Sequence, residues 1–109
     1  MIVYNKLVRD KIPAIIEASG KKANVRYLHG EEYQKALKDK IVEEAKELSQ
    51  AETKEQMIKE IADIKEVIYA ICDAFQIDYL DVIYARIEKE HEKGAFYLGC
   101  YLESVEDEQ

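Results

Sequence analysis

The sequence is poor in the residues that small secreted or membrane proteins depend on. It has no tryptophan, one proline, four glycines and two cysteines in 109 residues. Cys72 and Cys100 are too few for a disulfide framework, so we expect both thiols to be reduced. No apolar run approaches the roughly 20 residues of a membrane span, and no signal peptide precedes the first charged residues. These absences favour a cytoplasmic protein that does not contact a membrane.

Positive charge is also scarce. Sixteen Lys and Arg residues stand against 23 Asp and Glu residues, which gives a net charge of −7 and a pI near 4.9. A chain with this charge is not expected to bind a nucleic-acid polymer. A small anionic ligand is still compatible with it, because a metal ion can reverse the sign of a local site.

Apolar residues make up 48% of the chain, which is enough for one small core. We therefore predict a single domain over residues 1–109. A few helices would leave much apolar surface uncovered, so the composition also predicts self-association.

Helical periodicity predicts an all-α, four-helix-type bundle with short extended segments at both ends. The predicted helices run from a cap at Asp10 to Gly20, over about 31–51, over about 57–75, and from a cap at Asp78 to Gly94. The two long helices are joined by a short polar connection, so we expect them to be antiparallel neighbours. Residues 96–102, FYLGCYL, are apolar on both faces and are predicted to cross the bundle or to meet a second chain.

Carboxylates interrupt the apolar faces of both long helices. At about 100° per residue, Glu44 lies about 20° from Leu37, inside the apolar stripe of the first long helix, and Glu47 lies on its edge. The second long helix repeats this pattern, with Glu60 inside the stripe and Asp63 on its edge. Residues three apart are neighbours on a helix surface, so each helix presents a pair of acids on one side.

Antiparallel packing through these stripes would bring the four carboxylates together. Bare convergence is unfavourable because like charges repel and buried carboxylates need partners. Glutamate supplies 16 of the 109 residues, so either acid pair alone would be read as a solvated face. The pairing on two helices separated by a hairpin-length gap instead favours a divalent metal ion. Oxygen-only ligands suit Mg²⁺ or, alternatively, Mn²⁺.

The two acid motifs resemble the signature of the all-α NTP pyrophosphohydrolase superfamily. That superfamily includes MazG-like enzymes, dimeric dUTPases and phosphoribosyl-ATP pyrophosphohydrolase. Residues 43–47 read EEAKE and residues 60–63 read EIAD. YNKLVRDKIP, residues 4–13, is similar to the opening of a small MazG-like branch of predicted house-cleaning pyrophosphatases, and EKGAF, residues 92–96, is similar to its C-terminal KRGGF-type element. Ala95 replaces the second glycine of that element.

The resemblance implies hydrolysis of a nucleoside triphosphate to the monophosphate and pyrophosphate by a homodimer or homotetramer. Carried onto this chain, Glu44, Glu47, Glu60 and Asp63 would hold Mg²⁺. One or more of these four would also orient or deprotonate the attacking water, as catalytic residues. Glu43 would be an additional metal ligand or would support one. The resemblance does not identify the base or the sugar of the nucleotide substrate, or the number of metal ions.

Basic residues near the chain's ends are candidates for binding the substrate. Lys6, Arg9 and Lys11 lie close together before or at a helix start, where they could contact the triphosphate. Lys93, beside Gly94, is a further candidate.

Two alternative functions stay open at this stage. One is phosphoribosyl-ATP pyrophosphohydrolase activity itself, which shares the acid motif. The other is a non-catalytic acidic helical module that binds a protein partner, and this module would not be stabilised by Mg²⁺.

Overall fold

The computed structural model describes residues 1–107, which form four α-helices and no β-strand. The helices are α1 (Ile12–Ala18), α2 (Gly30–Gln50), α3 (Lys54–Ala74) and α4 (Tyr79–Lys93). The predicted all-α class is confirmed. Within these residues, no helix has the length and apolarity that crossing a membrane requires.

The chain divides into two compact units. The first, Met1–Ile77, contains α1, α2 and α3, and the second begins at Asp78 and contains α4. The carboxylates singled out above all belong to the first unit.

Helices α2 and α3 pack against each other as a hairpin. Residues 51–53 join them, and the amide of Gln34, near the start of α2, donates a hydrogen bond of 3.2 Å to the carbonyl of Ala74, at the end of α3. The two helices are therefore antiparallel, as predicted.

The hairpin interior lies along the predicted apolar stripes. Leu37 is 2% exposed, Cys72 is buried, and Glu44 is also buried, at 6% exposure. The apolar face of α3 is only partly buried near the start of the helix, where Met57 and Ile61 are 39% and 49% exposed. The apolar face of α3 therefore extends beyond what the rest of the first unit buries.

Helix α3 begins three residues earlier than the predicted start at Met57, because a capping box fixes its first turn. The Thr53 hydroxyl accepts a 3.1 Å hydrogen bond from the Gln56 backbone N–H, and the Gln56 side-chain oxygen accepts one of 3.3 Å from the Thr53 backbone N–H. Polar residues that the sequence analysis assigned to a connection are thus the first turn of the helix.

We expect Thr53→Ala to lower the free energy of unfolding by about 1 kcal/mol, because one backbone N–H at the start of α3 loses its partner. Urea denaturation measures this. Ser49→Ala on α2 is a matched control, since that hydroxyl only donates back to the Lys46 carbonyl, and its effect should stay within about 0.5 kcal/mol. Equal losses in the two variants would contradict a capping role for Thr53.

The predicted cap at Asp10 is wrong. Helix α1 is capped at Lys11 without a side-chain hydrogen bond, because the backbone turn before it already satisfies the first donor: the Ile12 N–H bonds to the Arg9 carbonyl at 3.0 Å. The helix ends before Gly20, whose φ of +89° suits glycine, as predicted.

The second unit begins as predicted, since the Asp78 carboxylate accepts a 3.0 Å hydrogen bond from the Leu80 N–H and caps α4. Gly94, with φ of +82°, ends the helix. Beyond it, Phe96, Tyr97 and Leu98 are each at least 96% exposed. The expectation that residues 96–102 cross the bundle or meet a second chain stays a prediction.

Candidate metal centre

Four carboxylates converge on the α2–α3 hairpin. Glu44 and Glu47 come from α2, and Glu60 and Asp63 come from α3; one oxygen from each lies within 4.8 Å of the others. The three-residue spacing places each pair on one side of its helix, and the antiparallel hairpin turns the two pairs toward each other.

The centre runs from the hairpin interior toward solvent. Glu44 is buried, Glu60 and Asp63 are half-buried, and Glu47 is exposed. Within residues 1–107, two buried oxygens, Oε2 of Glu44 and Oε2 of Glu60, have no hydrogen-bond partner. Buried carboxylate oxygens without partners are costly. An all-oxygen donor set with two orphaned oxygens fits a hard divalent cation.

Burial is the largest cause that raises the pKa of Glu44 above its ordinary value, and the adjacent Glu47 carboxylate raises it further. Lys40 acts in the opposite direction without outweighing them. The metal-free protein therefore disfavours a negative charge on Glu44, which is the carboxylate most enclosed by the hairpin.

The N-terminal segment supplies two cations to the acidic residues. The Arg9 guanidinium lies 2.6 Å from Asp63 Oδ1, and the Lys6 ammonium lies 3.1 Å from Glu43 Oε1. Hydrogen bonds to these carboxylates raise the pKa of both basic groups. Two of the three predicted basic residues thus lie at the carboxylate centre or beside it.

Glu43 lies between two lysines. It accepts from Lys6 through Oε1 and from Lys40 through Oε2, at 3.1 and 3.2 Å. Burial acts to raise its pKa, but the two lysines outweigh burial and the pKa is lowered. Glu43 is not one of the four converging carboxylates.

Lys40 is a site residue that the sequence analysis missed. Its ammonium lies 3.5 Å from Glu44 Oε1 as well as 3.2 Å from Glu43 Oε2, and its side chain is only 16% exposed. The sequence spacing could have identified it, because Lys40 precedes Glu43 and Glu44 by three and four residues on one helix, where side chains are neighbours.

The other two predicted substrate-binding residues lie at helix ends. Lys11 caps α1, and within the described chain its side chain forms no ion pair with the four carboxylates. Lys93 is the last residue of α4 and belongs to the second unit.

An open cleft of about 260 Å³ adjoins the centre near the hairpin loop. Glu47 and Glu60 line it from the side of the carboxylates, and Gln50, Ala51 and Gln56 complete the lining. Ligand atoms bound to these two glutamates would therefore have room on the loop side.

Fold and site together define a class: an all-α protein whose antiparallel helical hairpin presents four converging carboxylates. The family model for phosphoribosyl-ATP pyrophosphohydrolase matches residues 10–91. The chain belongs to this family, and thereby to the all-α NTP pyrophosphohydrolase superfamily that its acid motifs resemble. The match includes all four carboxylates and excludes Lys6 and Arg9.

A relative is an uncharacterized protein of Mycolicibacterium smegmatis (strain ATCC 700084 / mc(2)155), 43% identical over 54 residues. The aligned part is 50% of this chain and 55% of the relative, so the match spans about half the length of each. No solved structure matches the chain with statistical significance.

Proposed function

We propose that this protein hydrolyses a nucleoside triphosphate, ordinary or modified, to the monophosphate and pyrophosphate in a Mg²⁺-dependent reaction. The observation that carries the proposal is the centre itself, in which four carboxylate oxygens lie within 4.8 Å of one another. Two of the four residues have a buried oxygen with no hydrogen-bond partner in the part of the chain that the structure describes. Family membership supports pyrophosphohydrolase chemistry of this general kind.

Glu44, Glu47, Glu60 and Asp63 are the proposed metal ligands, and Mn²⁺ suits the same oxygen donors. A bound divalent ion would neutralise charge on the phosphate oxygens and lower the pKa of a bound water. The carboxylates have a second task, because the attacking water must be held in line with the bond that breaks. Glu47 is the most accessible of the four and lines the cleft, so it is our first choice for orienting or deprotonating that water.

Arg9 and Lys6 are the proposed phosphate ligands. A triphosphate carries about four negative charges, and without cations the carboxylate centre would repel it. Both side chains are substantially exposed, at 57% and 43%, and their ion pairs join the ends of long side chains. Exposed pairs of this kind contribute only about 0–1 kcal/mol, so a phosphate group can replace the carboxylate partner at little cost.

Phosphoribosyl-ATP pyrophosphohydrolase activity is the second candidate, and the family match over residues 10–91 favours it. The residues outside the match favour the first candidate, because the N-terminal segment that resembles the house-cleaning branch also supplies the two cations at the site. Incubation with phosphoribosyl-ATP and with a panel of nucleoside triphosphates separates the two. A clear preference for phosphoribosyl-ATP would overturn the first candidate and establish the second.

We expect the products of the preferred substrate to be a monophosphate and pyrophosphate. The measurement is parallel quantification of pyrophosphate and orthophosphate, with inorganic pyrophosphatase left out of the reaction. A nucleoside diphosphate and orthophosphate as main products would contradict the proposed reaction, whatever the substrate. No hydrolysis of any compound, together with no effect of Mg²⁺ on stability, would instead favour the protein-binding module.

We also propose that the protein assembles at least as a dimer. Apolar side chains are exposed in both units, among them Ile61 on α3 and Leu98 after α4, at 49% and 97%. Exposed apolar surface of this kind marks association sites, and we propose a second copy of this chain as the partner.

Light scattering at micromolar concentration should therefore give at least twice the chain mass of 12.7 kDa. Leu98→Asp should shift the mass toward the monomer, because it places a charge in the proposed interface, whereas Glu103→Gln in the same exposed segment should not. A wild-type monomer at these concentrations would contradict the assembly and leave the metal centre unaffected.

A further inference from the structure

Lys40 has surroundings unlike those of the other lysines that pair with acids in this chain. Its side chain is 16% exposed, whereas the side chains of Lys6 and Lys35 in their ion pairs are 43% and 77% exposed. Lysine is among the residues least often buried, and it is buried chiefly where a charged partner compensates. Here the partners are Glu43 and Glu44, and Glu44 is the most buried carboxylate of the centre.

The contact with Glu44 acts through charge rather than through orientation. Lys40 Nζ forms a hydrogen bond with Glu43 Oε2 at 3.2 Å, but it lies 3.5 Å from Glu44 Oε1, where no hydrogen bond forms. A residue that only fixed the rotation of Glu44 would need that hydrogen bond. A cation at 3.5 Å in a poorly solvated site attracts the carboxylate strongly without one.

The balance of charge gives Lys40 a role. Four ion pairs connect the three cations Lys6, Arg9 and Lys40 to three carboxylates, those of Glu43, Glu44 and Asp63. Glu47 and Glu60 complete the centre, which places five carboxylates beside three cations. When all are ionised, two negative charges remain, which one divalent cation neutralises. The pairs of Lys6 and Arg9 are exposed and exchangeable, so Lys40 is the cation that stays at the centre.

We propose that Lys40 is the resident counter-ion of the carboxylate centre. It stabilises the centre before metal binds, and it lowers the affinity for Mg²⁺ by placing a positive charge beside the metal ligands. This inference rests on the proposed function for the presence of a metal. It assigns Lys40 a role in tuning metal affinity that a purely helix-stabilising i, i+4 pair would not have.

The two possible roles of Lys40 predict opposite effects of its removal. Loss of a residue that orients a metal ligand weakens metal binding, whereas loss of a competing cation strengthens it. Calorimetric titration of the full chain with Mg²⁺, in the absence of nucleotide, measures the sign directly. Melting temperatures in EDTA measure the stability of the metal-free centre in the same variants.

We expect Lys40→Met to bind Mg²⁺ about tenfold more tightly than the wild type and to melt at a lower temperature in EDTA. Lys40→Arg should keep both wild-type values, because it retains the charge. Lys35→Met is the matched control, since Lys35 pairs with Asp39 on the same helix at the same i, i+4 spacing, with both side chains exposed. It should leave Mg²⁺ affinity unchanged. If Lys40→Met does not fold, Lys40→Gln carries the same expectation.

Mg²⁺ binding by the neutral Lys40 variants at wild-type or lower affinity would overturn the counter-ion role while leaving the metal centre in place. An absence of Mg²⁺ binding by the wild-type chain would overturn the proposed metal centre, and this inference with it.

Discussion

Glu44→Gln and Glu60→Gln should each lower the Mg²⁺-dependent rate of pyrophosphate release at least about a hundredfold, a loss of about 2.7 kcal/mol of transition-state stabilisation. Each change removes a charged oxygen donor from the centre while keeping the shape of the side chain. Each of the two side chains has a buried oxygen without a hydrogen-bond partner in the described chain. A steady-state assay with the preferred triphosphate measures the loss.

The same two variants should keep the fold, and in EDTA they should be as stable as the wild type or more stable. The reason is that burial and the Glu47 carboxylate raise the pKa of Glu44, so a charge at that position is more costly than in water, and the neutral amide of glutamine removes this cost. Glu31→Gln is a matched control, because Glu31 is exposed in the first turn of the same helix as Glu44. Near-wild-type rates in Glu44→Gln or Glu60→Gln would contradict the site.

Arg9→Ala should lower kcat/KM about ten- to a hundredfold, equal to about 1.4–2.7 kcal/mol, chiefly through a higher KM. The Arg9 guanidinium lies 2.6 Å from Asp63 Oδ1, beside the proposed position of the phosphates. A guanidinium can bond two phosphate oxygens at once, which a lysine cannot do with the same geometry. Its loss should therefore act on the substrate more than on the fold.

Mg²⁺ binding without nucleotide should change by no more than about fivefold in Arg9→Ala, because the exposed pair with Asp63 is worth at most about 1 kcal/mol. Arg26→Ala is the charge-matched control: Arg26 is 72% exposed and, among residues 1–107, pairs only with Glu32. Wild-type kinetics in Arg9→Ala, Lys6→Ala and Lys11→Ala alike would show that the N-terminal segment is structural. Lys93 or a residue of a neighbouring subunit would then be the next candidate for binding the triphosphate.

Local periodicity was sufficient to predict the part of the centre that lies on helices. The spacing of apolar residues along α2 and α3 placed Glu44 and Glu60 inside the stripes, and the short connection required the helices to be antiparallel. Helix geometry is set by neighbours three and four residues away, so it can be read from one sequence. The burial of Glu44 follows directly from its position among the apolar residues.

The N-terminal contacts could not be predicted in the same way. Lys6 and Glu43 are 37 residues apart, and Arg9 and Asp63 are 54 apart. The segment that carries both cations is irregular, so it has no periodicity from which its path could be inferred. Proximity in sequence suggested that Lys6, Arg9 and Lys11 form one group, but the chain enters α1 at Lys11 and leaves only the first two in contact with acids of the hairpin.

The errors at the helix starts have local causes. The Thr53–Gln56 capping box lies inside a run of polar residues that also reads as a loop, and only the reciprocal hydrogen bonds distinguish the two. Aspartate is a common helix-capping residue, but Asp10 does not cap α1. The Ile12 N–H, the first donor of the helix, already donates a hydrogen bond to the Arg9 carbonyl. In both cases hydrogen bonds to backbone N–H groups decide between two structures that the same residue types favour.

The most direct test of the central claim is the melting temperature as a function of Mg²⁺ concentration, without nucleotide, for the wild type and for the double variant Glu44→Gln Glu60→Gln. A cation that binds only the native protein must raise the melting temperature as its concentration passes the dissociation constant. The carboxylate centre predicts a rise that continues with Mg²⁺ concentration in the wild type and is absent from the double variant. No rise in the wild type, or an equal rise in both proteins, would contradict a metal site at these residues.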